Sequence, residues 1–120
     1  MKKIEAFEKA IENKVGDLRK EGINPTLFWA YRNCEHNGND KIDFNECIWE
    51  NEIEDIANCL KANGIYEFTI SSTFSSLIET LAEFQKHGFQ MAGLTEVYAN
   101  YTDWQTGKNK VIPAIRMLSI

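Results

Sequence analysis

The sequence of 120 residues lacks most of the runs that would place it in a special class. It has no apolar run of the roughly 20 residues that a membrane-spanning helix needs, and its opening residues, Met-Lys-Lys-Ile-Glu, do not begin a signal peptide. Its three cysteines are an odd number without a Cys-x-x-Cys pair, which argues against a disulfide framework and predicts buried thiols in a reducing compartment. We therefore expect a single domain over residues 1–120, cytoplasmic and without a membrane segment.

Basic residues are also few, 13 against 18 acidic ones, for a formal net charge of −5. A chain without a run of basic residues cannot bind the phosphate backbone of a nucleic acid strongly, so direct nucleic-acid binding is disfavoured. The acidity is concentrated in residues 35–55, where Lys41 is the single base. Because like charges this dense repel one another, we expect this segment to be a docking face for a cation or a basic partner. Its eight carboxylates are Glu35, Asp40, Asp43, Glu46, Glu50, Glu52, Glu54 and Asp55.

Apolar spacing and capping residues predict three helices in the first half of the chain. An amphipathic helix is expected from Lys2 to about Glu21, and the cap at Asn24 predicts a second helix over residues 26–33 with an aromatic core cluster. A third is expected from Asn51, with acids in its first turn and a base in its last. The residues of the aromatic cluster are Leu27, Phe28, Trp29 and Tyr31.

The second half predicts a strand, a helix and two more strands. Residues 66–70 alternate as a strand, residues 74–88 carry a helical stripe, and residues 89–101 and 110–118 should pair as a hairpin, with Gly93 at a bulge and Pro113 at an edge. A right-handed crossover makes the strands at 66–70 and 89–101 parallel. The predicted class is α+β: N-terminal helices followed by a β-α-β-β unit that forms a small mixed sheet covered by helices.

Residues 35–46 resemble the calcium loop of an EF-hand. Two departures argue against calcium: Glu35 replaces the usual Asp at the first position, and Asp40 occupies the sixth, where the sharp turn favours glycine. The alternative is a polar loop that leads into an element beginning at Ile42. The oxygen ligands of the EF-hand register would be Glu35, Asn37, Asn39, Asp43 and Glu46.

Two other groups of residues suggest binding chemistry less strongly. Cys34, His36, Cys47 and Cys59 offer zinc ligands, but their spacing matches no common zinc pattern, so we expect core thiols and no metal. Residues 71–76 precede a helix, where free N–H groups and the hydroxyls of Ser71, Ser72 and Thr73 form a weak candidate anion site. Ordinary N-capping explains these hydroxyls without a ligand.

An aromatic turn is predicted at the tip of the hairpin. Tyr98, Tyr101 and Trp104 are interleaved with polar residues there. Aromatic side chains in a polar turn are enriched in recognition surfaces, because they bury a large area at low entropic cost. They are equally compatible with packing back over the sheet.

Most of the chain resembles a family of small bacterial proteins of Firmicute mobile elements with no assigned activity. The resemblance lies in residues 63–117, with motifs such as Asn-Gly-Ile-Tyr-Glu-Phe-Thr-Ile-Ser-Ser-Thr-Phe and Tyr-Thr-Asp-Trp-Gln-Thr-Gly-Lys, and in residues 28–32 and 38–44. It implies an accessory cytoplasmic protein and carries over no catalytic residues.

The leading functional prediction is therefore a non-catalytic interaction or regulatory module with a protein partner and no cofactor. One form of it is an anti-defence protein whose carboxylates occupy a basic groove. The alternative is a small-ligand or anion-binding protein, or an enzyme, that uses the turn at 71–76. The oligomeric state stays open. The predicted partner-binding residues are Glu46, Glu50, Glu52, Glu54, Asp55, Tyr101 and Trp104.

Overall fold

The computed structural model describes residues 3–72 and 74–120. Its helices are α1 (Glu5–Glu12), α2 (Pro25–Asn37), α3 (Ile53–Ala62) and α4 (Leu77–Lys86), with short 3-10 turns at Arg19–Glu21 and Glu50–Glu52. Its strands are β1 (Asp43–Phe44), β2 (Glu67–Ile70), β3 (Phe89–Thr102) and β4 (Asn109–Ser119). The predicted α+β class, with N-terminal helices ahead of a mixed sheet, is confirmed.

The sheet has the order β1-β2-β4-β3. β1 and β2 are parallel, while β4 is antiparallel to both β2 and β3. β2 and β3 therefore run in the same direction, as predicted, but β4 lies between them. The bulge at Gly93 is confirmed, because the β3–β4 register shifts between Met91 and Leu94 and Gly93 has φ +94°.

The expectation that Pro113 lies in an edge strand is wrong, because β4 is a central strand of the sheet. Pairing between β2 and β4 ends at Ile115, however, and does not extend the two further residues to Pro113. At Pro113 the pairing partner is Glu96 of β3. The missing N–H of proline is tolerated because no strand in the described sheet flanks the other side of β4 there.

The long first helix is a wrong prediction. α1 ends at Glu12, since Lys14 adopts φ 52° and the N–H groups of Lys14 and Val15 bond the carbonyls of Ile11 and Ala10. This pattern is a Schellman motif, which ends a helix and turns the chain away. The apolar spacing continues past the break because Val15 and Leu18 still pack on the core.

α2 extends one turn further than predicted and ends at Gly38, which has φ 79°. Its predicted cap is confirmed, because the Asn24 side chain accepts a hydrogen bond from the Leu27 N–H at 3.1 Å. The buried rings of Phe44, Phe68, Phe84 and Phe89, from β1, β2, α4 and β3, pack together, with centroids 4.9–6.5 Å apart. The core therefore joins the parallel pair β1–β2 to the hairpin.

Candidate functional site: a tryptophan cleft at the end of the parallel strands

Five of the eight carboxylates in residues 35–55 have partners inside the molecule. Glu35 pairs with Lys3, Asp40 lies 3.6 Å from the Lys41 ammonium, and Asp55 accepts a hydrogen bond from the Asn24 amide. The other two are Asp43, which is buried, and Glu52, which bonds Arg19 and Thr26. Glu35, Asp43 and Glu52 are not exposed, so the predicted docking face has at most the other five carboxylates.

Glu46, Glu50 and Glu54 are three of the five exposed carboxylates, which also include Asp40 and Asp55. Within residues 3–72 and 74–120 none of Glu46, Glu50 and Glu54 lies within salt-bridge distance of a base. Glu46 follows β1, and Glu50 and Glu54 lie at the start of the α3 region. The amide that bonds Asp55 carries no charge, so the negative groups open to water are these three together with Asp55.

A cavity of about 420 Å³ separates α2 from the segment that follows β1. Two exposed indoles flank it, Trp29 at 54% and Trp49 at 66% exposure. We call this cavity the tryptophan cleft; its lining residues are Pro25, Thr26, Trp29, Ala30, Asn33, Phe44, Asn45, Glu46, Cys47 and Trp49. Among these lining residues Glu46 alone carries a charge, so the cleft combines aromatic walls with one carboxylate.

The prediction that Trp29 lies in the aromatic core cluster is wrong, and Trp49 was not singled out. The buried residues of α2 include Leu27, Tyr31 and Cys34, spaced by four and three, and Trp29 lies between them on the helix, pointing off that stripe. The position of Trp29 relative to these buried residues was the available sequence signal that its side chain lies outside the core. For Trp49, which follows buried Ile48, the run is too short for periodicity to indicate exposure.

A second cavity, of about 430 Å³, lies on the other side of Asn45 and Glu46. It is bounded by the chain after β2 and by the hairpin, and Tyr101 is 56% exposed beside it. We call it the tyrosine cleft; its lining residues are Asn45, Glu46, Ser71, Ser72, Ala99, Asn100, Tyr101 and Ile112. Both clefts open where β1 and β2 end, the edge of a parallel pair at which ligands commonly bind.

The carboxylate of Asp43, in β1, is buried. It accepts hydrogen bonds from the hydroxyls of Thr69 and Ser71, both at 2.6 Å. Burial raises the pKa of Asp43, although the two hydroxyls offset part of that effect. This carboxylate is held by hydroxyl groups and backbone, and by no basic side chain. It therefore holds the ends of β1 and β2 in place.

Replacing Asp43 with Asn is expected to stabilise the protein increasingly as pH rises. The raised pKa means that the folded state holds the Asp43 proton more tightly than the unfolded chain. The stability this group contributes is therefore full below its ordinary pKa and is lost as pH rises through the folded pKa. Urea unfolding of Asp43→Asn and wild type at pH 4 and pH 7 measures the change in their difference. Glu54→Gln, an exposed control, should show no comparable trend; a pH-independent Asp43→Asn difference contradicts the prediction.

The predicted anion site at residues 71–73 finds no support in its surroundings. The Ser71 hydroxyl donates to the Asp43 carboxylate, and the N–H groups of Ser71 and Ser72 point to the Phe44 carbonyl at 3.0 and 3.4 Å. These donors are already used, and a neighbouring carboxylate repels an anion. Thr73 lies outside the described residues. α4 begins at Leu77, beyond this turn.

The residues of the EF-hand register serve other contacts. Glu35 and Asn37 lie within α2, and the Asn39 side chain bonds both the N–H and the carbonyl of Tyr98, at 2.8 and 3.0 Å. Asn37 bonds Asn100 and Asn109. The polar loop therefore ties the end of α2 to the hairpin. In the described part of the chain, no three His, Cys, Asp or Glu side chains gather in a way that would hold a metal ion.

All three cysteines are free thiols, and the expectation that all are buried is wrong for Cys47, which is exposed at the tryptophan cleft. Cys34 is buried: its sulfur lies 3.0 Å from the Asp43 N–H, which donates to it. Burial raises the pKa of Cys34 to about 11 and also raises the pKa of Cys59. Cys34 and Cys59 are therefore poor nucleophiles at neutral pH.

At the hairpin tip, Trp104 is 88% exposed and does not fold back over the sheet. Tyr101 lies under the Lys110 ammonium, 6.0 Å from its ring centre, and lines the tyrosine cleft. The structure thus brings Tyr101 and Glu46 together, while Trp104 stands apart on the turn after β3.

The fold and the clefts define a small α+β domain with an aromatic, mildly acidic groove at the end of a parallel strand pair. Residues 26–119 match the family described as a domain of unknown function, DUF7698, and the chain belongs to that family. No curated protein and no solved structure matches the chain. No helix within residues 3–72 and 74–120 combines the length and apolar character that crossing a bilayer requires.

Proposed function

We propose that this chain is a small non-catalytic interaction module that binds a basic segment of a partner protein in the tryptophan cleft. The observation that carries the proposal is the lining of that cleft. Exposed Trp29 and Trp49 stand beside Glu46, the one charged residue among those that line it. A Lys or Arg side chain over an indole face, with a carboxylate nearby, gains cation–π and charge attraction together.

The charge around the cleft supports the same occupant. Exposed Glu50 and Glu54 follow Trp49, neither has a base within salt-bridge distance among the described residues, and the chain has a net charge of −5. A field of this sign speeds the approach of a basic partner. Of the residues predicted as partner-binding, the proposal retains Glu46, Glu50 and Glu54, and Tyr101 through the adjoining cleft.

The resemblance to proteins of Firmicute mobile elements supplies the proposed setting. An accessory cytoplasmic role in such an element is compatible with a module that recognises a basic protein. An anti-defence role is one form of this setting, in which the module occupies a basic groove on a defence protein. Five of the eight carboxylates have partners inside this molecule. The basic groove of a defence protein would therefore contact the tryptophan cleft and its rim, and not a continuous row of carboxylates.

Titration of the ¹⁵N-labelled protein with a blocked heptapeptide, Thr-Val-Thr-Arg-Thr-Val-Thr, tests the proposal by NMR. The three tryptophans give three indole N–H signals. We expect two of them, from Trp29 and Trp49, to shift on binding while Trp104 stays unchanged. Peptides with Glu or Leu in place of Arg should bind roughly tenfold more weakly, because they lose the cation–π and charge contributions of roughly 1–2 kcal/mol.

Two matched pairs of variants control for fold and charge. Glu46→Gln and Trp49→Ala should each weaken the arginine peptide roughly tenfold. Glu96→Gln, which removes a carboxylate on the hairpin, and Trp104→Ala should leave its affinity within about twofold. Equal binding of the Arg and Glu peptides, or a loss confined to Trp104→Ala, overturns the proposal.

A further inference from the structure

We infer that the partner segment also carries an acidic residue beside an apolar one, and that this pair binds in a second cleft on the other side of Trp29 from Glu46. This inference rests on the proposed function and adds a chemical requirement to the partner. The partner supplies a base to the tryptophan cleft and an acid to the cleft beside it, so a uniformly basic segment satisfies only half of the surface.

The second cleft is a cavity of about 580 Å³ between α1, the chain that follows α1, and α2. We call it the basic cleft, because three of its four charged lining residues are bases: Lys14, Arg19 and Arg32 against Asp17. Its walls are otherwise largely apolar, with buried Phe28 and half-buried Val15 and Leu18. Apolar walls with a surplus of positive charge suit an acidic side chain that has an apolar neighbour.

The charges of this cleft are available to a partner. Among residues 3–72 and 74–120, neither Lys14 nor Arg32 has a carboxylate within salt-bridge distance. The Arg19 guanidinium bonds Glu52, which does not line the cleft. A carboxylate that enters the basic cleft therefore gains two cations that no carboxylate of this chain already holds, and charge-assisted hydrogen bonds of this kind are strong.

The backbone at Lys14 supports a binding role for its side chain. Lys14 is the one non-glycine residue with positive φ in the described part of the chain. It follows the end of α1 at the position where a Schellman motif favours glycine, because a Cβ is strained there. Strained positions concentrate at functional sites. The chain therefore keeps a less favourable residue where that residue supplies a charge to the basic cleft.

The two clefts adjoin along α2. Thr26 and Ala30 line the tryptophan cleft. Phe28 and Arg32 line the basic cleft, and Trp29 lines both. With about 3.6 residues per turn, Trp29 lies on the helix surface between these two pairs. One segment that crosses the Trp29 indole therefore meets a carboxylate on one side and bases on the other.

Peptides with both charges test this inference by NMR titration. Each peptide carries a Leu-Glu pair before or after a single arginine, with one to five threonines between them. We expect at least one spacing to bind roughly tenfold more tightly than the matched Leu-Gln peptide, because only the carboxylate gains charge-assisted hydrogen bonds. In that complex the Gly16 amide signal should shift together with the Trp29 indole signal, since both residues line the basic cleft.

Two variants remove charge from the basic cleft. Arg32→Gln and Lys14→Gly should each reduce the advantage of Leu-Glu over Leu-Gln to about threefold or less, and the arginine heptapeptide should keep its affinity within about twofold. Lys14→Gly should also unfold at a urea concentration at least as high as wild type, because glycine relieves the strained backbone. Lys20→Gln removes an exposed base that does not line the cleft and should keep the full advantage.

The outcomes separate this inference from the proposed function. If the arginine heptapeptide binds but no spacing gives Leu-Glu an advantage over Leu-Gln, the second requirement is wrong and the proposed function stands. An advantage that persists in both Arg32→Gln and Lys14→Gly places the acid elsewhere and also contradicts the inference. If no arginine peptide binds at all, the proposed function and this inference both fail.

Discussion

Replacing Phe68 with alanine is expected to lower the free energy of unfolding by about 3–5 kcal/mol. The Phe68 side chain is fully buried, and its ring centre lies 5.5, 4.9 and 5.0 Å from those of Phe44, Phe84 and Phe89. Truncation removes the contacts that join β1, α4 and β3 through β2, and it leaves a cavity that rigid rings on three sides cannot fill. A loss of this size is a large share of the roughly 5–15 kcal/mol that stabilises a typical domain.

Urea or guanidinium unfolding monitored by circular dichroism measures this loss. Tyr66→Ala removes a ring of similar size one residue before β2, where the side chain is 57% exposed. That control should cost less than about 1 kcal/mol, because surface substitutions away from special features have small effects. A Phe68→Ala loss no larger than that of Tyr66→Ala would contradict the placement of Phe68 at the centre of the core.

Replacing Gly88 with alanine is expected to cost about 1–3 kcal/mol. Gly88 has φ +91°, a backbone conformation that disfavours L-residues by roughly 1–2 kcal/mol. A Cβ there would also overlap the Lys61 ammonium, which donates to the His87 carbonyl at 2.8 Å and lies 5.3 Å from the Phe89 ring centre. The ammonium is the far end of a flexible side chain and can move aside, so the overlap weakens this hydrogen bond at the end of α4 and adds about 1 kcal/mol or less.

A double-mutant cycle separates the two costs of Gly88→Ala. In a Lys61→Ala background the overlap is absent, so Gly88→Ala should then cost only the backbone share. Gly93→Ala provides a second comparison, because Gly93 has φ +94° and open space around its Cβ position. Equal costs of Gly88→Ala with and without Lys61, measured by denaturant unfolding, would refute the role of the ammonium.

The predictable parts of the fold are those whose signals are local and repeated. Asn24 and the charge order of α3 indicate helix starts through contacts within one turn, and the hairpin follows from alternation over more than ten residues. β1 has two residues, too few for a period, and it is stabilised by pairing with β2 and by the Cys34 thiol. The insertion of β4 between β2 and β3 depends on which strand edges meet, and alternation along one strand does not determine that.

The candidate site was less predictable because residues far apart in the sequence build it. Glu46 was singled out by its charge, but its importance depends on Trp29 across the cleft and on the loss of Asp43 and Glu52 to internal partners. Arg19 reaches Glu52, and Lys3 reaches Glu35, over more than thirty residues. Counting carboxylates along the chain does not reveal which of them are already neutralised in the fold.

The exposed thiol of Cys47 turns the cleft into a place where a partner can be captured covalently. A photoactivatable maleimide would attach there in preference to Cys34 and Cys59, whose raised pKa values and burial suppress alkylation at neutral pH. Illumination would then mark whichever polypeptide occupies the groove, and mass spectrometry of the crosslink would give the sequence of that polypeptide.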